Sequence, residues 1–244
     1  MQIIYFSPHF DDAVLSCGGL IWEQINKGHE VSIWTIFSGD PPLENLSEFA
    51  KELHSKWQGG EENLPNRREE DIVSCNILGV HHFHIDLLDC IYRVDTHSSF
   101  HLYPTEEAIF STVYDLEFEP VELWTNKISN MIPKGAVLVS PLGIGNHVDH
   151  QITRRVLEKL NQPLQYYIDF PYMVREAIEI DTFIPKGYAQ QTFPISKRGL
   201  KMWQDGVEAH QSQISSFWSG NLEMREDIRK FEQKYEGINI IIKK

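Results

Sequence analysis

Cysteine is scarce in this 244-residue sequence, which contains only Cys17, Cys75 and Cys90. Three is an odd number, no two cysteines have the C-x-x-C spacing, and each stands among apolar residues. A small disulfide-stabilised scaffold needs a dense, even set of cysteines. The sequence therefore excludes that class and predicts buried, reduced thiols, as expected for a cytoplasmic protein.

Basic residues are also few, since 22 lysines and arginines stand against 35 acidic residues and leave a formal charge of −13. A chain of this charge is repelled on average by phosphate backbones and by anionic membrane surfaces. We therefore expect no nucleic-acid partner and no membrane-surface partner.

Long apolar runs are missing as well, and none approaches the roughly 20 residues of a membrane-spanning helix. The N-terminus lacks the basic segment of a secretory signal, and its apolar start is interrupted at Ser7-Pro8-His9. We expect a soluble protein that is neither exported nor inserted in a membrane.

What the sequence does contain is an alternation of strand and helix patterns. Its 41% apolar content is enough for one core, so we expect a single domain over residues 1–244. A polar stretch over 38–66, with a helix pattern around 46–57, resembles a functional lid. Further strand patterns cover 2–7, 30–37, 80–87, 136–140, 164–170 and 238–242, with helix patterns between them, including 200–214. This alternation predicts an α/β fold whose mainly parallel sheet carries helices on both faces.

Two clusters of histidine and aspartate directly follow predicted strands. Residues 8–12 read PHFDD, and residues 147–150 read HVDH after a glycine-rich turn. One such residue after a strand is usually a cap or turn residue. Two such clusters favour a functional site instead. Ligands of α/β sheets bind beyond the carboxyl ends of the strands, and both clusters are expected to meet there.

Together the two clusters contain enough ligands for a hydrolytic zinc site. Such a site has about three nitrogen or oxygen ligands from the protein and one open position for water. His9, Asp12 and His150 supply two imidazoles and one carboxylate. Neighbouring side chains point in different directions, so Asp11 can face the attacking water and act as general base while Asp12 binds the metal.

The second cluster holds two more candidate catalytic residues. His147 lies three residues before His150 and can project into the same cleft, where it could stabilise an oxyanion or protonate the departing amine. Asp149 could orient one of these two histidines.

The two clusters resemble the P-H-x-D-D and H-x-D-H signatures of the PIG-L/LmbE-like N-deacetylases. Their order and positions agree, and the resemblance extends to Arg67 and Glu70 before an LGV segment and to DFPY at residues 169–172. It thus covers most of the chain. One feature departs from the pattern, because Gly145 stands where some relatives have a tyrosine.

The resemblance implies a Rossmann-like fold, zinc bound by His9, Asp12 and His150, and Asp11 as general base. It further implies that His147 assists at the oxyanion or the leaving group and that Arg67 contacts substrate. The expected substrate is an N-acetylated amino sugar or a small glycoside that carries one, deacetylated to the free amine and acetate.

Asp89 and Arg93 lie after a predicted strand on the same side of the sheet. They are interpreted as substrate-binding residues, with a role in bracing their own loop as the alternative. The sequence pattern does not determine the oligomeric state, so a homo-oligomer and a monomer are both compatible with it.

Two other functions fit parts of the pattern. A metal-dependent phosphoesterase also uses histidine and aspartate, although such enzymes often bind two metals and only one ligand set is present here. A non-catalytic sugar-binding protein with structural zinc would show four protein ligands, whereas a catalytic site shows three and an open position.

Overall fold

One sheet forms the centre of the computed structural model, which describes residues 1–58, 66–95, 97–114, 118–175 and 180–244. Strands β1 to β5 run parallel to their neighbours, whereas β7 pairs antiparallel with both β5 and β6. The strands within the described residues are β1 (Gln2–Ser7), β2 (Glu30–Thr35), β3 (His81–His84), β4 (Val137–Pro141), β5 (Leu164–Tyr167), β6 (Tyr188–Phe193) and β7 (Ile238–Lys243), and their order across the sheet is β3-β2-β1-β4-β5-β7-β6.

This sheet confirms the predicted α/β class and its mainly parallel strands. The parallel part has the order 3-2-1-4-5, which is the order of Rossmann-like folds. Strand β1 lies at its centre, where Ile3 pairs with Val31 of β2 and Val137 of β4. Residues 3–6 of β1 are at most 3% exposed, because a parallel strand is covered on both faces.

Helices flank the sheet in two groups. Helix α8 packs against α1, α3 and α10, and α5 packs against α6. In the described residues the helices are α1 (Asp12–Asn26), α2 (Glu48–Gln58), α3 (Arg67–Leu78), α4 (Glu106–Ile109), α5 (Phe118–Ser129), α6 (Val148–Glu158), α7 (Tyr172–Arg175), α8 (Lys197–Glu208), α9 (Gln211–Phe217) and α10 (Asn221–Tyr235), with short 3-10 turns at Cys90–Tyr92 and Ile180–Thr182.

The contact between α1 and α8 shows how a glycine in the first helix is used. Trp203 of α8 is fully buried, and its Nε1 donates a hydrogen bond to the Leu15 carbonyl of α1 at 3.0 Å. A Cβ at Gly18 would lie 2.7 Å from the Trp203 ring. A side chain at position 18 would therefore push the two helices apart.

Some element boundaries differ from the predicted ones. The helix predicted over 200–214 is interrupted at His210, which caps α9. Strand β6 was not predicted, because it is a largely polar strand at the sheet edge without apolar alternation. Helix α2 lies in the polar stretch as predicted, while residues 59–65 of that stretch lie outside the described residues.

None of the helices in the described ranges has the length and apolar character needed to cross a bilayer.

Candidate active site

The sheet brings the two polar clusters together at the carboxyl ends of β1 and β4, which are neighbouring parallel strands. The first cluster follows β1 and leads into α1, and its loop is held by Ser7. The Ser7 hydroxyl donates to the His9 carbonyl at 2.5 Å and accepts from the Ala13 backbone N–H at 3.0 Å. The second cluster follows β4 through a glycine turn and leads into α6.

His9, Asp12 and His150 converge through their polar atoms. The Asp12 Oδ2 atom lies 3.1 Å from His9 Nδ1 and 3.2 Å from His150 Nε2. All three residues are at most 9% exposed. Zinc bound tetrahedrally at 2.0–2.1 Å keeps its ligand atoms about 3.3 Å apart. The separations therefore fit a zinc ion bound by these atoms.

The hydrogen bonding of His150 also fits a metal site. Its Nδ1 lies 2.7 Å from Asp169 Oδ1, so this nitrogen carries the proton and donates it. Its Nε2 is buried and has no hydrogen-bond partner among the described residues. A buried nitrogen lone pair without a donor is costly unless a cation fills that role.

Two carboxylates orient the ring nitrogens that face away from the proposed metal position. Asp149 Oδ2 accepts from His9 Nε2 at 3.0 Å, and Asp169 Oδ1 accepts from His150 Nδ1. Asp169 is itself fixed, because its Oδ2 accepts from the backbone N–H groups of Gly143 and Ile144 at 2.8 and 3.0 Å. Such carboxylate–histidine pairs are typical around protein-bound zinc.

The electrostatics of the cluster favour added positive charge. Burial alone would lower the pKa of His150, but Asp12 and Asp169 raise it to about 10. Burial likewise opposes a charged His9, yet Asp89, Asp12 and Asp149 raise its pKa well above the ordinary value. The carboxylates around His9 and His150 therefore favour positive charge at these two residues, and a bound divalent cation would supply it.

His147 belongs to the same group of buried histidines, because ring nitrogens of His9, His147 and His150 lie within 4.8 Å of one another. Its Nδ1 accepts the Asp149 backbone N–H at 3.2 Å, so its proton resides on Nε2. Burial and the nearby His9 hold the pKa of His147 well below its ordinary value. His147 is therefore a neutral imidazole with a hydrogen to donate.

A cleft of about 500 Å³ opens onto this cluster. Asp11 lines it and is 4% exposed, and its Oδ1 lies 3.7 Å from the Arg67 guanidinium. Arg67 lies over the Trp57 ring at 4.8 Å. Asp89 lines the cleft as well, with its Oδ2 3.7 Å from His9 Nε2. Three residues predicted to meet water or substrate thus face one cavity.

The structure corrects two assignments made from the sequence. Asp149 is fully buried, and its carboxylate contacts His9 rather than His147 or His150, so it positions a histidine without reaching the cleft. Arg93, which was predicted to bind substrate, is not among the described residues that line the cleft. Its side chain is 8% exposed and points inward, where it forms an ion pair with Asp149 at 2.6 Å.

Asp169 is the functional candidate that the sequence analysis missed. In the sequence it belongs to the DFPY segment, and that resemblance implies no role for this aspartate. A signal was available, because Asp169 lies two residues after the end of β5, another parallel strand that ends at the same edge of the sheet.

The turn before the second cluster explains Gly145. This residue has φ of 87°, and a Cβ there would lie 3.0 Å from the Tyr172 ring. Tyr172, whose ring meets His150 edge to face at 5.7 Å, occupies the space where a side chain at position 145 would begin. A tyrosine at position 145 is therefore incompatible with this arrangement.

The chain is similar to known deacetylases. The family PIG-L, described as GlcNAc-PI de-N-acetylase, matches residues 4–161. The 2'-N-acetylparomamine deacetylase of Niallia circulans is 28% identical over 205 residues, covering 77% of this chain and 72% of that protein.

Solved structures of deacetylases are also similar to this chain, over nearly its full length. The zinc-inhibited form of the teicoplanin deacetylase Orf2 has a TM-score of 0.81 and 26% identity, and the match covers 99% of this chain and 97% of that one. A deacetylase–bog complex from the biosynthesis pathway of teicoplanin has a TM-score of 0.80 and 26% identity over the same shares.

Proposed function

This chain belongs to the PIG-L family, as its sequence motifs predicted, and we propose that it is a zinc-dependent hydrolase that removes the N-acetyl group from an amino sugar in a small glycoside. One observation carries the proposal. Three buried groups of zinc-ligand type, from His9, Asp12 and His150, meet beside a further carboxylate, Asp11, at the base of a cleft.

His9 Nδ1, Asp12 and His150 Nε2 would hold the metal. Zinc bound there would supply Lewis acidity and would lower the pKa of water to about 7. Asp11 accepts the proton of the attacking water, because its carboxylate lines the cleft next to the ligand Asp12. The same proton then passes from Asp11 to the amide nitrogen as the C–N bond breaks, which yields acetate and a free amine.

His147 takes the oxyanion role in this proposal. With Nδ1 occupied by the Asp149 backbone N–H, the neutral ring has only its Nε2 hydrogen to offer. Donating that hydrogen bond stabilises the negative oxygen of the tetrahedral intermediate. Transferring the proton to the amine would leave an imidazolate, so the alternative role of acid for the leaving amine is not adopted.

The cleft walls suit a glycoside. One part of the lining is apolar, which suits the C–H faces of a sugar ring and its aglycone, and the rest offers charged and amide groups that can bind hydroxyls. The apolar residues are Phe49, Leu53, Trp57, Ile91, Ile109, Phe110 and Phe217, and the polar ones include Glu52, Lys56, Arg67, Asp89 and Gln213. Arg67 and Asp89 are the substrate contacts we propose; the relatives named above support a glycoside through their own substrates.

A substrate panel tests this proposal. Zinc-loaded protein is incubated separately with N-acetylglucosamine glycosides, a thiol-sugar conjugate that carries an N-acetyl group, N-acetylated peptides and phosphate monoesters. Primary amine and phosphate are measured in parallel. We expect amine release from the N-acetylated sugars. Turnover of the peptides alone would contradict the sugar assignment, phosphate release alone would favour the phosphoesterase, and zinc binding without turnover would favour the non-catalytic protein.

Substitution of His147 by alanine tests its role. We expect kcat to fall by about 10²–10³-fold with little change in KM, since the hydrogen bond strengthens only in the transition state. Zinc content should stay at one ion per chain. His82→Ala, which removes an exposed histidine from the edge strand β3, is the matched control and should leave kcat unchanged.

Two results would overturn the assignment of His147. A change in KM alone would make it a substrate-binding residue. Loss of zinc would make it a metal ligand, which is geometrically possible because one of its ring nitrogens lies within 4.8 Å of a ring nitrogen of His9 and of His150.

A further inference from the structure

Arg93 is a buried cation beside the proposed metal centre, and the proposed reaction does not use it. Its Nη1 donates to the Leu88 carbonyl at 3.2 Å, and its Nη2 lies 2.6 Å from Asp149 Oδ1. The guanidinium also sits among the rings of Phe37, Tyr103 and Trp124, with its carbon 5.0, 5.4 and 5.9 Å from their centroids. These contacts hold the planar group in one orientation.

Asp149 is the group that this arginine holds. Its Oδ1 faces Arg93, while its Oδ2 accepts from His9 Nε2 and from the Cys90 backbone N–H, each at 3.0 Å. Cys90 begins a 3-10 turn and Arg93 is the residue that follows it. The Arg93 backbone N–H donates to the Cys90 carbonyl at 3.1 Å. Both oxygens of Asp149 are thus fixed by one short loop after β3.

The orientation of Asp149 decides the orientation of His9. Because Asp149 Oδ2 accepts from Nε2, the other nitrogen, Nδ1, keeps its lone pair and points toward Asp12 Oδ2 at 3.1 Å. A rotated carboxylate would release Nε2 and allow the ring to turn. Hydrogen-bond partners of this kind affect metal affinity by about 10–100-fold.

We propose that Arg93 is a positioning residue for the metal, acting through Asp149 on His9. This inference rests on the proposed zinc site and adds to it a residue that contacts neither metal nor substrate. The guanidinium bridges a carboxylate and a carbonyl at once, which a lysine ammonium on a flexible stem cannot reproduce in the same geometry. A positive charge at position 93 is therefore not sufficient to hold the Asp149 carboxylate in this orientation.

Zinc affinity is the direct test, measured by competition with a chromophoric chelator on the metal-free protein. We expect Arg93→Lys, which keeps the charge, to raise the zinc Kd by about tenfold or more. The visible spectrum of the cobalt-substituted variant should change in band position or intensity, because the His9 ligand is displaced. Arg225→Lys, which alters an arginine paired with Asp205 and Glu208 away from the cluster, should leave both readouts unchanged.

A second comparison shows whether Arg93 acts through Asp149. Arg93→Met alone would leave a buried carboxylate unpaired and could unfold the protein, so it is made together with Asp149→Asn. We expect this double variant to bind zinc within about twofold of Asp149→Asn alone, since residues that act in series are not additive.

Either of two results would overturn the inference. One is a zinc Kd of Arg93→Lys equal to that of the unsubstituted protein, even with lowered thermal stability, because this describes a purely structural arginine. The other is a further large loss of affinity in the double variant relative to Asp149→Asn. If the unsubstituted protein itself binds no zinc, the proposed function fails first, and that result is visible before any variant is compared.

Discussion

His150→Ala is expected to lose its zinc and, with it, all acetate release above background. His150 is 1% exposed, its Nε2 lies 3.2 Å from Asp12 Oδ2, and that nitrogen has no hydrogen-bond partner among the described residues. Alanine leaves two protein ligands where a hydrolytic zinc site needs about three. Metal content by elemental analysis and acetate release should therefore fall together.

Another buried histidine offers a matched control for this variant. His210 is 2% exposed, and its Nε2 also lacks a hydrogen-bond partner among the described residues, but it caps α9 outside the cluster. His210→Ala should cost stability and retain one zinc per chain. Full zinc occupancy in His150→Ala would show that the ligand assignment is wrong, whatever the zinc content of His210→Ala.

Asp11→Asn is expected to give the opposite combination, with zinc retained and kcat lowered by about 10²–10⁴-fold. The amide keeps the shape of a side chain that is 4% exposed, but it cannot accept a proton from water. Initial rates with a saturating N-acetylated glycoside and zinc content are measured on the same preparation.

The neighbouring residue is the natural comparison for this prediction. Asp12 Oδ2 contacts both His9 Nδ1 and His150 Nε2, so Asp12→Asn should weaken zinc binding itself. Loss of zinc from Asp11→Asn, or its retention at full affinity by Asp12→Asn, would show that the roles of the two aspartates are exchanged.

The sequence was sufficient to predict that the two clusters meet. Strand patterns at residues 2–7 and 136–140 placed His9 and His150 at one edge of a parallel sheet, and their ring centroids lie 5.7 Å apart there. Local rules were adequate because each cluster lies close behind its strand, the first immediately after β1 and the second after the glycine turn that follows β4. The same rules failed for β6, whose polar edge position leaves no apolar alternation to detect.

The surroundings of the cluster could not be predicted in this way. Whether Asp149 contacts His9 or a histidine of its own segment depends on the direction of its side chain in the first turn of α6, which no spacing rule specifies. Arg93 was expected in the cleft because its loop is on the correct side of the sheet. Its inward direction depends on Phe37, Tyr103 and Trp124, which come from three separate segments.

A zinc titration of the metal-free protein tests whether this chain is a zinc-dependent N-deacetylase, with acetate release from an N-acetylglucosamine glycoside as the readout. We expect no release without metal, a rise in proportion to added zinc, and full activity at one zinc per chain. Acetate release at the full rate by the metal-free protein, or no release from any N-acetylated glycoside at one zinc per chain, would contradict it.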